Sequence, residues 1–398
     1  MGLISVVVIG GGGHVGLPLS IMLADSGLKV AIYDTSEATV AKILSGEMPF
    51  WEPGAHALLT KALANGNLTA STDPSAISEG EIVVVVIGTP VDEHLNPDPN
   101  ALSKALEVSK SHFKGGQLLV LRSTIFPGVT RQIEDLVARW GLDIDVSFAP
   151  ERIAEHKAVE ELVSLPQIVA SRSDRGFERT RDLFLSLTQE VIRLSPEEAE
   201  LAKLFTNSWR YVKFAMANQF FMMANERGLD FEVIRSAMQH NYPRAADMAG
   251  PGFAAGPCLF KDTMQLAAFS DNKFQLGHSA MLVNEGLPLY VVSKLEEKHD
   301  LRSMTVGILG MSFKAGSDDI RSSLSYKLKR VLEFKAKTVI CTDPMVTKET
   351  DPNLLPLETV VSQSDILIIA TPHKEYASLQ SEKLLVDVWG LTGKGVRV

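Results

Sequence analysis

Cysteine is nearly missing from this sequence. Its 398 residues hold two, Cys258 and Cys341, far apart. That excludes a disulfide framework and points to a reducing compartment. Long hydrophobic runs are also lacking. No stretch of about 18 apolar residues occurs, so no membrane span is expected. The apolar opening through Ile9 is short, has no basic flank and runs straight into glycines. It reads as a buried strand rather than a signal peptide, and a cytoplasmic protein is expected. Positive charge is not in excess: the net charge is −9. General nucleic-acid binding needs a basic footprint and is excluded, although one anion in a local basic pocket is not. No metal is expected, and no short-period repeat recurs.

What remains is ordinary for a soluble globular chain, with 45% hydrophobic and 22% charged residues. The length suits two to three domains. Short apolar runs at Ser5–Ile9, Lys29–Tyr33, Ile82–Ile87, Leu118–Leu121, Asp145–Phe148 and Gln167–Ala170 each end in Gly, Pro, Asp, Ser or Thr. Such runs mark strands buried on both faces of a parallel sheet, with helices between them. At Ser195-Pro-Glu-Glu198 the character changes: Ser195 suits an N-cap, Pro196 the first helical position, and acids the first turn. Helical patterns follow to about Gly228, over Phe231–His240 and over Ala280–Lys298, interrupted by a Gly/Pro-rich loop at 250–262. Strand patterns resume at Thr305–Leu309, Thr338–Thr342, Ile366–Ala370 and Leu385–Val388. The expected class is α/β: two Rossmann-like, doubly wound parallel-sheet domains, 1–195 and 299–398, joined by a helical middle domain, 196–298.

Gly11-Gly-Gly13-His14-Val15-Gly16 fits G-x-G-x-x-G after the first strand. Asp34 ends the second strand, 23 residues after Gly11. Small residues let the backbone approach a pyrophosphate, and a helix N-terminus supplies oriented N–H donors. A carboxylate at position 34 would accept from ribose hydroxyls and repel a 2′-phosphate, which favours NAD over NADP. Gly88-Thr89-Pro90 and Ser123-Thr124 follow two further strands of the same sheet, where ligands bind in such folds; ordinary loop and capping roles are the alternative.

The stretch Gly250-Pro-Gly-Phe253-Ala-Ala-Gly256-Pro-Cys258-Leu-Phe-Lys261-Asp262 presents one cysteine from a Gly/Pro loop. A helix starting there would bring Lys261 and Asp262 back to the side of Cys258. A helix N-terminus and a nearby ammonium both favour a thiolate nucleophile. A lone cysteine is more often a small buried hydrophobe; the flanking residues argue otherwise here, but Cys341, ending an apolar strand, suits that role. Lys203 and Asn207 share a helix face and could stabilise an oxyanion, or be a solvated lysine beside a polar neighbour. Glu151 and Glu155 would share a face if helical, as paired carboxylates or a solvated surface.

Taken together these stretches resemble the UDP-glucose/GDP-mannose dehydrogenase family over nearly the whole chain. Gly88-Thr-Pro90, Ser123-Thr-Ile-Phe-Pro-Gly128, Ala149-Pro-Glu-Arg152, Glu198-Ala-Glu-Leu-Ala-Lys203 with Asn207, Gly310-Met-Ser-Phe-Lys314 and Asp318-Asp-Ile-Arg-Ser-Ser323 join the glycine fingerprint and the Cys258–Asp262 loop. The resemblance implies four-electron oxidation of a sugar C6 alcohol to a carboxylate with two NAD molecules, through a thiohemiacetal and a thioester on Cys258. It implies that Lys203 and Asn207 hold the C6 oxygen. Asp262 with Thr124 would position water or stabilise charge, and Glu151 would be the hydrolytic base. Gly11, Gly13, His14, Val15, Gly16, Asp34, Thr89, Pro90, Thr124, Glu155 and Arg321 would serve the cofactor. Glu151, Lys203, Asn207, Arg244, Phe253, Gly256, Lys261 and Lys314 would meet the UDP-sugar, Arg244 from a neighbouring subunit, so at least a homodimer is expected. UDP-glucose is the expected substrate; a UDP-N-acetylhexosamine or GDP-mannose is the alternative, since Gly256-Pro-Cys258 leans one way and Pro150-Glu-Arg152 the other. A two-electron hydroxyacid-type dehydrogenase would leave Cys258 and the last domain unexplained, and a non-catalytic dinucleotide sensor would leave Cys258, Lys203 and Asn207 so.

Overall fold

The computed structural model describes residues 5–89, 92, 98–396 and 398. The chain separates into two compact units, Met1–Thr206 and Asn207–Val398, and the division falls within one long helix.

The first unit alternates strands and helices: β1 (Val6–Ile9), α1 (Gly16–Asp25), β2 (Val30–Tyr33), α2 (Glu37–Leu44), α3 (Ala55–Ala64), β3 (Leu68–Ser71), β4 (Ile82–Val85), α4 (Ala101–Val108), β5 (Leu118–Leu121), α5 (Val129–Trp140), β6 (Asp145–Phe148), α6 (Ala158–Ser164), β7 (Gln167–Ser171), α7 (Asp174–Leu185) and β8 (Val191–Leu194). They form one eight-stranded sheet in the order β3-β2-β1-β4-β5-β6-β7-β8. The first six follow the doubly wound order, with the direction of winding reversing between β1 and β4. Apolar clusters cover both faces, so a run such as Val6-Val-Val-Ile9 is buried throughout. Two differences from the sequence reading have clear causes. β3 (Leu-Thr-Ala-Ser) and β8 (Val-Ile-Arg-Leu) are half-exposed edge strands, so neither carries a continuous apolar run. β7 pairs antiparallel to β6 although it is buried on both faces, and burial says nothing of strand direction.

The helix α8 (Pro196–Asn225) starts as its sequence predicts. Ser195 and Glu198 form a reciprocal cap: Ser195 N donates to Glu198 Oε2 at 2.8 Å, and Glu198 N to Ser195 Oγ at 3.4 Å. In the second unit follow α9 (Phe231–Gln239), α10 (Leu259–Phe269), α11 (Gln275–Lys298), β9 (Thr305–Leu309), α12 (Leu324–Lys335), β10 (Thr338–Thr342), α13 (Leu357–Gln363), β11 (Ile366–Ile369) and β12 (Leu384–Asp387). The last four strands make an all-parallel sheet in the order β10-β9-β11-β12. A single apolar cluster joins this sheet to the helices: Phe221, Leu287 and Val291 share it with Val306, Ile308 and Ile368.

The loop after β9 is held by a buried polar centre. Asp343, just past β10, accepts from Met311 N (2.6 Å) and Ser312 N (3.0 Å) through one oxygen, and from Met345 N (2.8 Å) and Val346 N (3.0 Å) through the other. His373 Nε2 lies 3.2 Å from that carboxylate and 3.0 Å from Ser312 Oγ. Burial pushes the Asp343 pKa up, but the hydrogen bond and attraction from His373 and the two loop amides outweigh it and bring the group down to about 2. Its folded value is thus depressed from 3.8, so its stabilisation is present above about pH 4 and is lost as the pH falls through 2. Asp343→Asn is expected to cost roughly 2–3 kcal/mol at pH 7 in chemical denaturation. The gap from the native protein should narrow between pH 4 and pH 2; a gap that is the same at both ends contradicts the assignment.

Candidate active site

In the first unit, five glycines, at 10–13 and 16, follow β1, and their environments differ. Gly10 has φ +73°, and a Cβ there would lie 2.4 Å from Val86 O. A Cβ on Gly11 would meet Val8 O at 2.9 Å, and one on Gly16 would meet Gly10 O at 2.6 Å, where α1 crosses the strand end. Gly13 is open: a Cβ there would meet only Gly10 O, at 3.9 Å. Gly10, not Gly11, thus occupies the left-handed corner, a point the G-x-G-x-x-G frame had missed. Asp34 stands across the cradle at the end of β2, accepting from Gly12 N at 2.9 Å and Ser36 N at 3.0 Å. Val15 is the N-cap of α1. His14 turns its ring onto Phe50, with centroids 4.0 Å apart, and its Nδ1 lies 3.4 Å from Glu155 Oε1.

At the carboxyl ends of β4 and β5, Thr89 Oγ1 donates to Thr124 O, and Ile87 N to Ser123 Oγ at 2.8 Å. Thr89, Ser123 and Thr124 are therefore brought together; Pro90 lies outside the described residues. Glu151 and Glu155 are not paired on a helix. Residues 149–154 form neither helix nor strand, and Glu151 makes an ion pair with Arg122, whose guanidinium is fully buried. Arg122 also donates to Ala149 O (3.1 Å) and Gln167 Oε1 (3.2 Å) and lies 4.7 Å from the Phe184 ring centre. The other Glu151 oxygen accepts from Arg152 N (2.6 Å) and Ile153 N (2.8 Å). Sequence reading passed over Arg122, although a lone cation closing the run Leu118–Leu121 was its signal. It also passed over Glu200, which is buried on α8 and accepts from Gly128 N (2.7 Å) and Thr130 N (2.8 Å), fixing the turn after Thr124.

In the second unit, Cys258 is the N-cap residue of α10, with its side chain exposed. The 250–262 loop is therefore shorter than its composition suggested, because Leu259–Phe269 is helix. Asp262 is fully buried one turn on from Cys258; its Oδ2 accepts from Asn207 Nδ2 at 2.6 Å and its Oδ1 lies 3.1 Å from Lys261 Nζ. Lys203 and Asn207, both buried, stand one turn apart on α8. Gly256 has φ +106°, and a Cβ there would come 2.6 Å from Phe313. Phe253 does not face solvent: its ring is buried edge-on to Trp389 in the core, so only its backbone is left to meet a ligand. Lys314 Nζ lies 5.6 Å from the centre of the Phe313 ring, and Arg321 forks onto Asp319 at 2.5–3.0 Å. Arg244 is exposed, 5.3 Å from the Tyr242 ring centre.

A glycine cradle after the first strand, with a carboxylate at the end of the second, is the arrangement of a dinucleotide-binding domain. Residues 4–188 match the NAD binding domain of the UDP-glucose/GDP-mannose dehydrogenase family, residues 197–286 its central domain and residues 307–394 its UDP binding domain. The chain belongs to that family of NAD-dependent nucleotide-sugar dehydrogenases. It is 31% identical over 385 residues to a UDP-N-acetyl-D-mannosamine dehydrogenase of Pyrococcus horikoshii, covering 94% of this chain and 90% of the relative. It is 27% identical to an NDP-N-acetyl-D-galactosaminuronic acid dehydrogenase of Ralstonia nicotianae, covering 95% and 94%. The solved UDP-D-ManNAc dehydrogenase of Pyrococcus horikoshii superposes with a TM-score of 0.91 at 27% identity, covering 98% and 97% of the two chains. A UDP-glucose dehydrogenase of Pyrobaculum islandicum gives 0.90 at 25%, covering 97% and 94%. The match of residues 307–394 accounts for the domain that a hydroxyacid-type enzyme would leave unexplained. Among the described residues, no helix is long and apolar enough to cross a membrane.

Two expectations follow. On the expectation that Asp34 accepts from the ribose hydroxyls, kcat/KM should favour NAD over NADP by more than about tenfold, and Asp34→Ala should narrow the ratio; comparable use of both by the native protein contradicts this. Arg122→Met should cost about 3 kcal/mol or more in urea denaturation by stranding a buried Glu151. The double variant with Glu151→Gln should lose less than the sum of the single changes, whereas additive losses would show that the two groups act independently.

Proposed function

We propose that this protein oxidises the C6 alcohol of a UDP-N-acetylhexosamine, of the N-acetylmannosamine type, to the uronic acid. The curated relatives named above act on N-acetylated sugars by their names, and Pro150-Glu151-Arg152 leans the same way. UDP-glucose, the first expectation from sequence, thereby becomes the second reading. It keeps the support of the Pyrobaculum islandicum neighbour, whose fold alone does not separate the two sugars.

The observation that carries the chemistry is Cys258 at the start of α10, one turn before an Asp262 that Asn207 holds at 2.6 Å. The Gly10–Gly16 cradle would hold NAD, which would accept a hydride in each of two successive oxidations. Between them the Cys258 sulfur adds to the aldehyde carbon, and the carbonyl oxygen becomes the thiohemiacetal oxygen. Lys203 and Asn207 hold that oxygen, with charge-assisted donation from the ammonium. Loss of the second hydride and the hydroxyl proton leaves a thioester. Water then adds to the acyl carbon, the C–S bond breaks, and the thiolate departs, stabilised by the helix start. The family resemblance assigns the positioning of water to Asp262 and Thr124 and the uptake of its proton to Glu151. The balance is one alcohol, two NAD and one water to one carboxylate, two NADH and three protons. In this reading Lys314, Lys261 and the Gly256 backbone meet the UDP-sugar, Arg321 and Glu155 support the cofactor, and Arg244 reaches a neighbouring subunit's site in at least a homodimer.

The test is a panel of UDP-N-acetylmannosamine, UDP-N-acetylglucosamine, UDP-glucose and GDP-mannose, with NADH and product both counted. Two NADH per uronic acid, with an N-acetylated sugar preferred, is expected. One NADH with an aldehyde as the end product would sink the four-electron reading, and a preference for UDP-glucose would sink the sugar assignment alone. Cys258→Ser should stop uronic acid formation; product made at the native rate removes Cys258 from the mechanism.

A further inference from the structure

Cys258 sits at the end of a loop, 250–257, whose stem is gripped by a side chain far away in sequence. Asn218 is fully buried on α8. Its Oδ1 accepts from Gly252 N at 2.8 Å and its Nδ2 donates to Gly252 O at 3.0 Å. One amide side chain thus satisfies both backbone groups of Gly252, as a neighbouring strand would. The same Nδ2 donates to Asn284 Oδ1 at 2.9 Å, and Asn284 Nδ2 donates to Tyr211 O at 3.1 Å. That chain fixes which way round the Asn218 amide points, and neither asparagine has any exposed surface on which water could replace a lost partner. On its other side Gly252 has φ +147°, and a Cβ would lie 2.2 Å from the Trp389 ring. The peptide is therefore held between an amide clamp and an indole wall.

The far side of the cysteine is tied to the same helix. Asn207 holds Asp262 at 2.6 Å. Asn207 and Asn218 are 11 residues apart on α8, or ~16 Å along its axis. Cys258 lies between the two anchored points, six residues after Gly252 and four before Asp262. A third tie, from Gly256 N to Ser322 O at 3.3 Å, joins the loop to the turn that carries Phe313 and Lys314.

We propose that Asn218 is a positioning residue for Cys258: α8 fixes the nucleophile at two points, Asn218 on the loop stem and Asn207 on the helix that follows. The proposal rests on the reading of Cys258 as nucleophile. Its consequence is kinetic. A displacement of about 1 Å at a reacting atom costs on the order of 100-fold in rate while leaving remote binding contacts intact.

Asn218→Asp keeps the volume and one acceptor but loses both donations. Four quantities are compared with the native enzyme: kcat, affinity for UDP by calorimetry, melting temperature, and the rate at which iodoacetamide alkylates Cys258, read by mass spectrometry. The expected result is a kcat lower by about 100-fold, UDP affinity within about threefold, and a Cys258 that is still alkylated at the native rate or faster. Asn284→Ala, which removes the support of the Asn218 amide together with the donation to Tyr211 O, should show the same pattern with a smaller loss, and it serves if Asn218→Asp fails to fold. A kcat within about twofold of native in a folded variant overturns the proposal, as does a loss of UDP affinity equal to the loss of kcat. Cys258→Ser is run in parallel. If that variant makes uronic acid normally, the nucleophile reading has failed; if it is dead while Asn218→Asp is fully active, only the positioning has failed.

Discussion

The hydrogen bond from Asn207 to a fully buried Asp262 is the contact on which the placement of the first turn of α10 depends. A buried carboxylate is costly unless paired, and Asp262 meets both an amide and the Lys261 ammonium, so the first turn of α10 has one low-energy placement. Cys258 opens that turn. An α-helix carries residues as rigidly as any element does, so Cys258 at its start inherits the position of Asp262 rather than the freedom of the Gly/Pro loop before it.

The first unit repeats the device with a different pair. Arg122 is wholly buried and Glu151 nearly so, and the two form an ion pair. Ala149 N donates to Leu121 O at 2.8 Å and Glu151 N to Arg122 O at 3.4 Å, so residues 149–151 run beside the end of β5 rather than along a helix. Glu200 adds a carboxylate from α8 to the turn at Gly128, so the same helix that carries Lys203 also shapes the loop that carries Thr124. Long helix α8 is thereby a scaffold more than a spacer: Glu200, Lys203, Asn207 and Asn218 all project buried polar groups from it.

How much of this could be read beforehand follows the range of the interactions. The strand Leu118–Leu121, an unbroken apolar run, was legible to the residue, because burial on both faces leaves a local mark. The edge strands β3 and β8 were not, since half their side chains meet water. The Ser195–Glu198 cap and the Cys258 helix start were legible as local chemistry. The left-handed corner at Gly10 was blurred by three further glycines, any of which fits the pattern. Partners that meet only in the fold leave no local trace: Asn218 and Gly252 are 34 residues apart, and Glu200 and Gly128 are 72 apart. Glu151 and Glu155 show the converse, where a spacing that suits a helix face was overruled by a buried arginine.

The central claim is a covalent acyl intermediate on Cys258. Its most direct test is mass spectrometry of the enzyme quenched in acid during turnover with NAD and the preferred nucleotide sugar, followed by digestion. The account predicts a peptide containing Cys258 that carries the uronoyl group as a hydroxylamine-sensitive thioester. Uronic acid accumulating at full rate with Cys258 unmodified, or with the adduct on another residue, would contradict it.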